Sequence, residues 1–171
     1  MAGLSTGNGL PNVVVTGVAM STALATDAES TWKNLLDGQS GIRKLTDPFV
    51  EEYDLPVRIG GHLLEDFDSE LTRVELRRLS YLQKMSTVIG RRAWANAGSP
   101  EVDTRRLMVS VGTGMGSTEE VVFAYDGMRA KGLRAVSPLV VQMNMPNGAA
   151  AAIGLERKAK AGVCTAVSAC A

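Results

Sequence analysis

Residues 107–120 read Leu-Met-Val-Ser-Val-Gly-Thr-Gly-Met-Gly-Ser-Thr-Glu-Glu, and this stretch decides the fold class of the chain. Its first part, residues 107–111, is a largely apolar run that is typical of a buried strand. Three glycines follow within residues 112–116, and Ser117 with Glu120 predicts a capping box at the start of a helix. A strand that passes through a glycine turn straight into a helix is typical of an α/β fold.

Two helices and one strand are predicted upstream of this stretch. The β-branched run at residues 13–18 predicts the first central strand. Thr26 with Glu29 predicts a capping box, and the helix that follows has one apolar face and ends at Gly38. Residues 75–97 carry apolar side chains at near-helical spacing and predict one long helix.

The rest of the chain adds one short strand, one helix and a third main strand. Prolines and a glycine pair break up residues 46–68, where one short strand is expected at 57–59. Asn147 is expected to cap a helix that ends before a strand at residues 163–167. The alternation of strands and helices indicates an α/β layered fold with a mixed, largely parallel sheet. Functional groups collect at the carboxyl ends of the strands in such folds.

Composition and charge exclude several classes of protein. Of the 171 residues, 45% are apolar and 21% are charged, which suits a chain that fills a core. Basic and acidic residues number 18 each, so no overall charge would attract nucleic acid. No stretch approaches the roughly 20 apolar residues that a membrane span needs. We expect a cytoplasmic protein without a membrane span, and a flexible N-terminus at residues 1–12.

Cysteine and histidine are scarce. Cys164 and Cys170 lie six residues apart, which suits neither a disulfide framework nor a zinc site. We therefore expect free thiols, no metal and no cofactor. His62 is the only histidine, and a structural role is expected for it. On the pattern alone, Cys170 is either a nucleophile or one more small buried residue.

Three motifs together resemble the type II β-ketoacyl-acyl-carrier-protein synthases of the thiolase-fold superfamily. They are the loop at residues 38–42, the turn at 111–116 and the closing run Val-Ser-Ala-Cys-Ala at 167–171. The branch that the chain resembles best is the one that elongates mycolic acids. Ala166 and Cys164 depart from that branch, in which proline and methionine are usual at these positions.

The resemblance implies a layered α-β-α fold of which only the first part is present. Residues 13–171 would be part of the N-terminal domain and would end just after the nucleophile. In the family's sheet the first predicted strand lies beside the second, and the second beside the third. The two histidines and the lysine that assist malonyl decarboxylation in the family lie downstream of this segment, so the segment alone is expected to be inactive.

The resemblance also implies the chemistry and its catalytic residues. Cys170 would take an acyl chain from acyl carrier protein (ACP) as a thioester, and condensation with malonyl-ACP would follow with loss of CO2. A helix N-terminus lowers the pKa of a thiol, and its amides stabilise an oxyanion. The amide of Ala171 would be one such oxyanion donor.

Four further residues receive binding roles from the resemblance. Met115 would line the acyl channel, and Val140 would line the channel of the partner subunit in a homodimer. Arg77 and Arg78 would contact ACP, whose acidic surface is attracted by a local basic pair on a neutral protein.

Two other functions stay open at this stage. One is a truncated, non-catalytic relative that keeps only its dimer or carrier-protein contacts. The other is a nucleotide-binding α/β module built on the glycine turn. Spacing counts against this module, because the third glycine of the dinucleotide fingerprint is expected at position 117, which is Ser117.

Overall fold

The computed structural model describes residues 12–169, which combine helices with two small sheets and confirm the α/β class. In chain order the elements are α1 (Ala28–Leu36), β1 (Arg43–Lys44), α2 (Pro48–Glu52), β2 (Ile59–Gly60), α3 (Arg73–Arg78), α4 (Tyr81–Asn96), β3 (Met108–Thr113), α5 (Glu119–Lys131), α6 (Val140–Asn144), α7 (Gly148–Arg157) and β4 (Gly162–Val167). The predicted flexible N-terminus falls, up to residue 11, outside the described residues. No helix between residues 12 and 169 is long and apolar enough to cross a membrane.

The two main strands confirm the predicted pairing of the second strand with the third. β3 and β4 run parallel and pair over their whole length, from Met108 opposite Gly162 to Thr113 opposite Val167. The pair β1 with β2 is antiparallel and forms a separate two-stranded sheet, so the parallel and antiparallel pairs lie in different sheets. The short strand predicted at residues 57–59 lies two residues further along, at β2.

Helix α4 lies against α7, which in turn covers one face of the β3–β4 pair. A Cβ at Gly90 of α4 would come within 3.2 Å of Ile153 on α7, so the glycine lets the two helices approach closely. Near the middle of α4, Val88 joins Phe67 and Leu71 in a buried apolar cluster. The layers are therefore helix, helix and sheet, with the apolar contacts centred on α4.

Ion pairs attach α4 to its neighbours. The Arg91 guanidinium pairs with Glu75 of α3 and with Glu156 of α7, while Arg92 pairs with Glu65 at 2.7 Å. The hydrogen bond from Arg91 is the largest cause that lowers the pKa of Glu75 from 4.5 to about 2, and the Thr72 backbone N–H adds to it. These contacts link three helices on the side of α4.

The predicted first central strand is wrong. Residues 13–18 pair with no strand of the described chain, and the side chains of the first three valines are exposed. Gly17 instead lies against the end of α4, where a Cβ would come within 2.7 Å of the Ala93 carbonyl oxygen. The Val18 N–H donates to Asn96 Oδ1 at 2.9 Å. A β-branched run forms a strand only where a neighbouring strand supplies hydrogen bonds, and here it meets a helix end.

The predicted helix at residues 75–97 is two helices. Leu79 is extended, with φ −104° and ψ 136°, and ends α3. Ser80 then begins α4 through a capping box with Gln83. Apolar spacing that continues through Leu79 concealed this break, since both helices bury side chains in the same cluster.

Four other predicted helix boundaries are also wrong. Asp27, not Thr26, caps α1 by accepting a hydrogen bond from the Ser30 N–H at 2.8 Å. The Ser117 hydroxyl makes no cap, because it is buried against another helix. Asn147 precedes α7 without a side-chain cap bond. Helix α7 ends at Lys158, which adopts the left-handed conformation, four residues before the predicted stop.

Candidate functional site

The carboxyl ends of β3 and β4 lie side by side and bring two loops together. Because Thr113 is opposite Val167, Gly114 and Ser168 leave the sheet at neighbouring positions. Ala169 has φ 47°, in the left-handed region that residues with a Cβ rarely adopt. Such conformations concentrate at functional sites, and this one directly precedes Cys170.

Two of the predicted site residues, Cys170 and Ala171, lie outside the described residues. Their roles as nucleophile and oxyanion donor therefore stay predictions. What the described chain contributes is the approach to them, namely the end of β4, the left-handed residue Ala169 and the glycine turn beside it.

The glycine turn, residues 112–116, packs against the connection between α6 and α7. Gly116 has φ 76°, and its N–H donates to Thr113 Oγ1 at 3.1 Å. A Cβ at Gly116 would come within 3.0 Å of Pro146 Cα, so the turn and this connection touch closely. Met115 lies between Gly114 and Gly116, and it is 68% exposed. The glycines thus allow the turn to pack closely, and the side chain of Met115 within it is exposed.

A buried polar network holds the same region together, and the sequence reasoning missed it. The Ser80 and Ser117 hydroxyl oxygens lie 2.7 Å apart, and both residues are 0% exposed. Gln83 Nε2 donates to the Gln142 carbonyl oxygen at 3.1 Å, and Gln83 Oε1 accepts from the Ser80 N–H at 3.1 Å. The network joins α4, the residue after the glycine turn and α6. The available signal was Ser-x-x-Gln at residues 80–83, a helix start inside a run that looks like one helix.

Val140 begins α6, two residues before the Gln142 carbonyl that Gln83 binds, and its side chain is half-buried. The structure therefore attaches the helix that carries Val140 to the turn that carries Met115. This attachment does not depend on a contact between the Val140 and Met115 side chains.

The predicted docking pair lies at the end of α3. Arg77 and Arg78 are exposed, and neither forms an ion pair within residues 12–169. Arg77 Nε donates to the Arg73 carbonyl oxygen at 3.1 Å, which keeps the side chain along the helix. Positive charge at a helix C-terminus also favours the helix itself, so the pair has a structural role besides any docking role.

Cys164 lies within β4 and not at its carboxyl end. Its Sγ is 3.2 Å from Ser110 Oγ on the neighbouring strand. In the part of the chain that the structure describes, no group of three or more His, Cys, Asp or Glu side chains is arranged to hold a metal ion.

Two curated proteins with the same name are similar over nearly all of this chain. The 3-oxoacyl-[acyl-carrier-protein] synthase 2 of Mycobacterium tuberculosis (strain ATCC 25618 / H37Rv) is 75% identical over 171 residues, which cover 100% of this chain and 41% of that protein. The Mycobacterium leprae (strain TN) protein is 75% identical over 168 residues, covering 98% of this chain and 40% of its own length. This chain therefore spans about two fifths of the length of these relatives.

Solved structures share the fold at low sequence identity. The ishigamide ketosynthase/chain length factor superposes with a TM-score of 0.73 at 18% identity, covering 90% of this chain and 39% of that one. A type II polyketide synthase acyl-carrier protein in complex with its ketosynthase, bound to the hexaketide, gives a TM-score of 0.63 at 14% identity, covering 86% and 39%.

The beta-ketoacyl synthase N-terminal domain is the family that matches, and the match runs over residues 11–171. It contains both main strands, the glycine turn and the closing Val-Ser-Ala-Cys-Ala run, which are the features that carried the resemblance. With nearly the whole chain matched, this chain belongs to the beta-ketoacyl synthase family, as a member of its N-terminal domain.

Proposed function

We propose that this chain is the N-terminal part of a condensing enzyme that elongates fatty acids by joining an acyl chain to malonyl-ACP. The observation that carries the proposal is family membership together with 75% identity to proteins named 3-oxoacyl-[acyl-carrier-protein] synthase 2. Within this proposal, residues 13–171 are the part of the domain that ends after the nucleophile. The substrates are those of mycolic-acid elongation, and the enzyme is a cytoplasmic homodimer.

Cys170 is the proposed nucleophile. Its thiolate attacks the carbonyl carbon of acyl-ACP, the thiol of the carrier leaves, and the acyl group stays on Sγ as a thioester. Malonyl-ACP then loses CO2, and the carbanion that results attacks this thioester carbonyl. The β-ketoacyl-ACP product forms as the Cys170 thiolate leaves. The left-handed Ala169 at the end of β4 supports this assignment, since it turns the chain sharply just before the thiol.

The oxyanion of each tetrahedral intermediate needs a donor close to the thiol. We assign one donor to the Ala171 N–H, which follows Cys170 directly in the chain. The acyl chain then extends along Met115 and, across the dimer, along Val140. The side chain of Met115 is exposed beside the strand ends, which supports its place in the channel. The glycine turn belongs to this channel, and nothing favours a nucleotide there.

Carrier protein is the proposed partner at Arg77 and Arg78. Their exposure, and their lack of ion pairs in the described chain, leave both charges available to an acidic surface. A protein of the same fold forms a complex with an acyl-carrier protein, which supports a partner of this class.

A chimera tests the proposal in a full-length context. In it, these 171 residues replace the matching residues of the M. tuberculosis relative. Labelled acyl-ACP is expected to leave its acyl group on the peptide that contains Cys170, and Cys170→Ala is expected to lose both label and condensation. Cys164→Ser is the matched control and is expected to keep both. Label on Cys164 with Cys170 unmodified would contradict the assignment.

A further inference from the structure

We propose that Gln83 is a positioning residue that sets the length of acyl chain the enzyme accepts. The inference rests on the proposed function, which places Met115 in the acyl channel of its own subunit and Val140 in the channel of the partner subunit. Gln83 is 2% exposed, so it acts through the segments that carry these two residues and not by touching the acyl chain.

The first link runs from the glycine turn to the start of α4. Ser117 follows the turn, two residues after Met115, and its hydroxyl lies 2.7 Å from that of Ser80. Both residues are fully buried, so water cannot replace the bond if the two hydroxyls separate. The pair therefore fixes the distance between the turn and α4.

The second link runs from α4 to α6 through the Gln83 amide. Its Nε2 donates to the Gln142 carbonyl oxygen at 3.1 Å, and its Oε1 accepts from the Ser80 N–H at 3.1 Å. Gly148, the first residue of α7, has no side chain, and a Cβ there would lie 1.9 Å from Gln83 Nε2. The amide therefore fits only because this residue is glycine. One side chain thus ties α6, two residues after Val140, to the helix start that holds the turn.

In the proposed homodimer each channel is lined by Met115 of its own subunit and, further along, by Val140 of the partner subunit. A long acyl chain therefore contacts both segments, while a short one contacts only the segment of Met115. Within each subunit Gly116 packs against Pro146, and the directional hydrogen bonds of the network fix the turn relative to α6. The network of one subunit therefore positions a segment of each of the two channels. Displacements of about 1 Å away from the reacting atoms can change rates by about a hundredfold. Loss of the Gln83 amide is therefore expected to penalise long chains more than short ones.

Gln83→Met in the chimera tests this expectation, because methionine keeps the volume of the side chain and removes both hydrogen bonds. We expect the ratio of kcat/KM for palmitoyl-ACP to kcat/KM for butyryl-ACP to fall by about tenfold. Ser117→Ala breaks only the link to the turn, and it is expected to move the ratio in the same direction by a smaller factor.

Two control variants separate positioning from stability. Thr87→Val lies one turn further along α4 and removes a buried hydroxyl that has no hydrogen-bond partner among residues 12–169, so the ratio is expected to stay unchanged. Val88→Ala opens a cavity in the buried cluster and is therefore expected to lower the thermal midpoint of unfolding. It is expected to change kcat/KM for the two substrates by the same factor. The proposal is overturned if Gln83→Met also changes kcat/KM for the two substrates by the same factor.

Amide hydrogen exchange gives a readout that needs no activity. Gln83→Met is expected to speed exchange at residues 112–117 and in α6, and to leave α1 unchanged. Unchanged exchange in the turn and in α6 would overturn the positioning role. An unsubstituted chimera that condenses no acyl-ACP would contradict the proposed function instead, and the exchange experiment would still decide the role of Gln83.

Discussion

Met115 is a proposed residue of the acyl channel, and it is exposed. Its large apolar side chain is held between two glycines at the strand ends. We expect Met115→Trp in the chimera to shorten the longest product without abolishing use of short chains, since the indole ring fills the channel near its entrance. Met115→Leu keeps the volume and is the control. Mass spectrometry of the products decides, and an unchanged length distribution would remove Met115 from the channel.

The arginine pair at the end of α3 gives a second test with single residues. Reversing Arg77 and Arg78 to Glu is expected to slow association with carrier protein and to flatten its salt dependence, because the pair attracts an acidic partner. Reaction with small acyl thioesters is expected to stay nearly unchanged. Arg105→Glu with Arg106→Glu changes the charge equally at another exposed pair and serves as control. Equal losses on both substrates would mean that Arg77 and Arg78 are structural.

Local residue patterns indicate some site residues only together with the family resemblance, and others not at all. The pattern around Cys170 leaves a nucleophile and a small buried residue open, and the resemblance selects the nucleophile, which stays a prediction. Ser-x-x-Gln at residues 80–83 is equally local, yet its meaning depends on Ser117, 37 positions away from Ser80 in the chain. A contact of that kind follows from packing, so no pattern along the chain indicated it.

At the scale of elements, predictions succeeded where the signal was local and failed where it required a partner. β3, β4 and α7 each carry a clear apolar pattern and lie near their predicted positions, although both predicted ends of α7 are wrong. The run at residues 13–18 has equally high strand propensity, but pairing depends on a neighbour that propensity does not report. The break at Leu79 was missed because apolar spacing continues across it.

The contact between α3 and α4 gives a pH test at this scale. Glu75 has a folded pKa of about 2 against an ordinary 4.5, so the stability that its charge contributes is complete above about pH 4.5 and is lost as pH falls toward 2. Glu75→Gln keeps the hydrogen-bonding reach and removes the charge. We expect it to cost about 1 to 2 kcal/mol at pH 7, since about 1.36 kcal/mol accompanies each pKa unit before solvent screening.

Thermal unfolding of the two proteins at a series of pH values checks this. The gap between their midpoints is expected to narrow as pH falls from 4.5 to 2, because Glu75 becomes protonated in the unfolded chain first and then progressively in the folded protein. A gap that is constant from pH 7 to pH 2.5 would contradict the assigned pairing. Glu51→Gln, an exposed carboxylate paired with Arg58, is a control for which a much smaller gap is expected.

The whole molecule exposes large apolar side chains on several elements. Trp32 and Leu36 of α1 and Phe123 of α5 are each more than half exposed, and the predicted apolar face of α1 is therefore not covered within the described chain. Surfaces of this kind are usually covered by other parts of a protein or by a partner. The relatives are more than twice as long as this chain, which agrees with that reading.

The 171-residue chain by itself is expected to show no condensation, whereas the chimera is expected to be active. The chain has one histidine, His62, while the family uses two histidines and a lysine for malonyl decarboxylation. Condensation of acyl-ACP with malonyl-ACP by each of the two proteins measures this. Turnover by the 171-residue chain would show that it is a self-sufficient enzyme.

The close approach of Gly148 to the Gln83 amide predicts that substitutions at these two positions are coupled in evolution. A Cβ at position 148 would lie 1.9 Å from Gln83 Nε2, the end of that side chain. An alanine at 148 is therefore accommodated only if the end of Gln83 moves or a shorter side chain replaces it. Either change gives up the bond to Gln142. The two positions are therefore expected to change together in descendant sequences, and a second-site suppressor of Gly148→Ala is expected to map to codon 83.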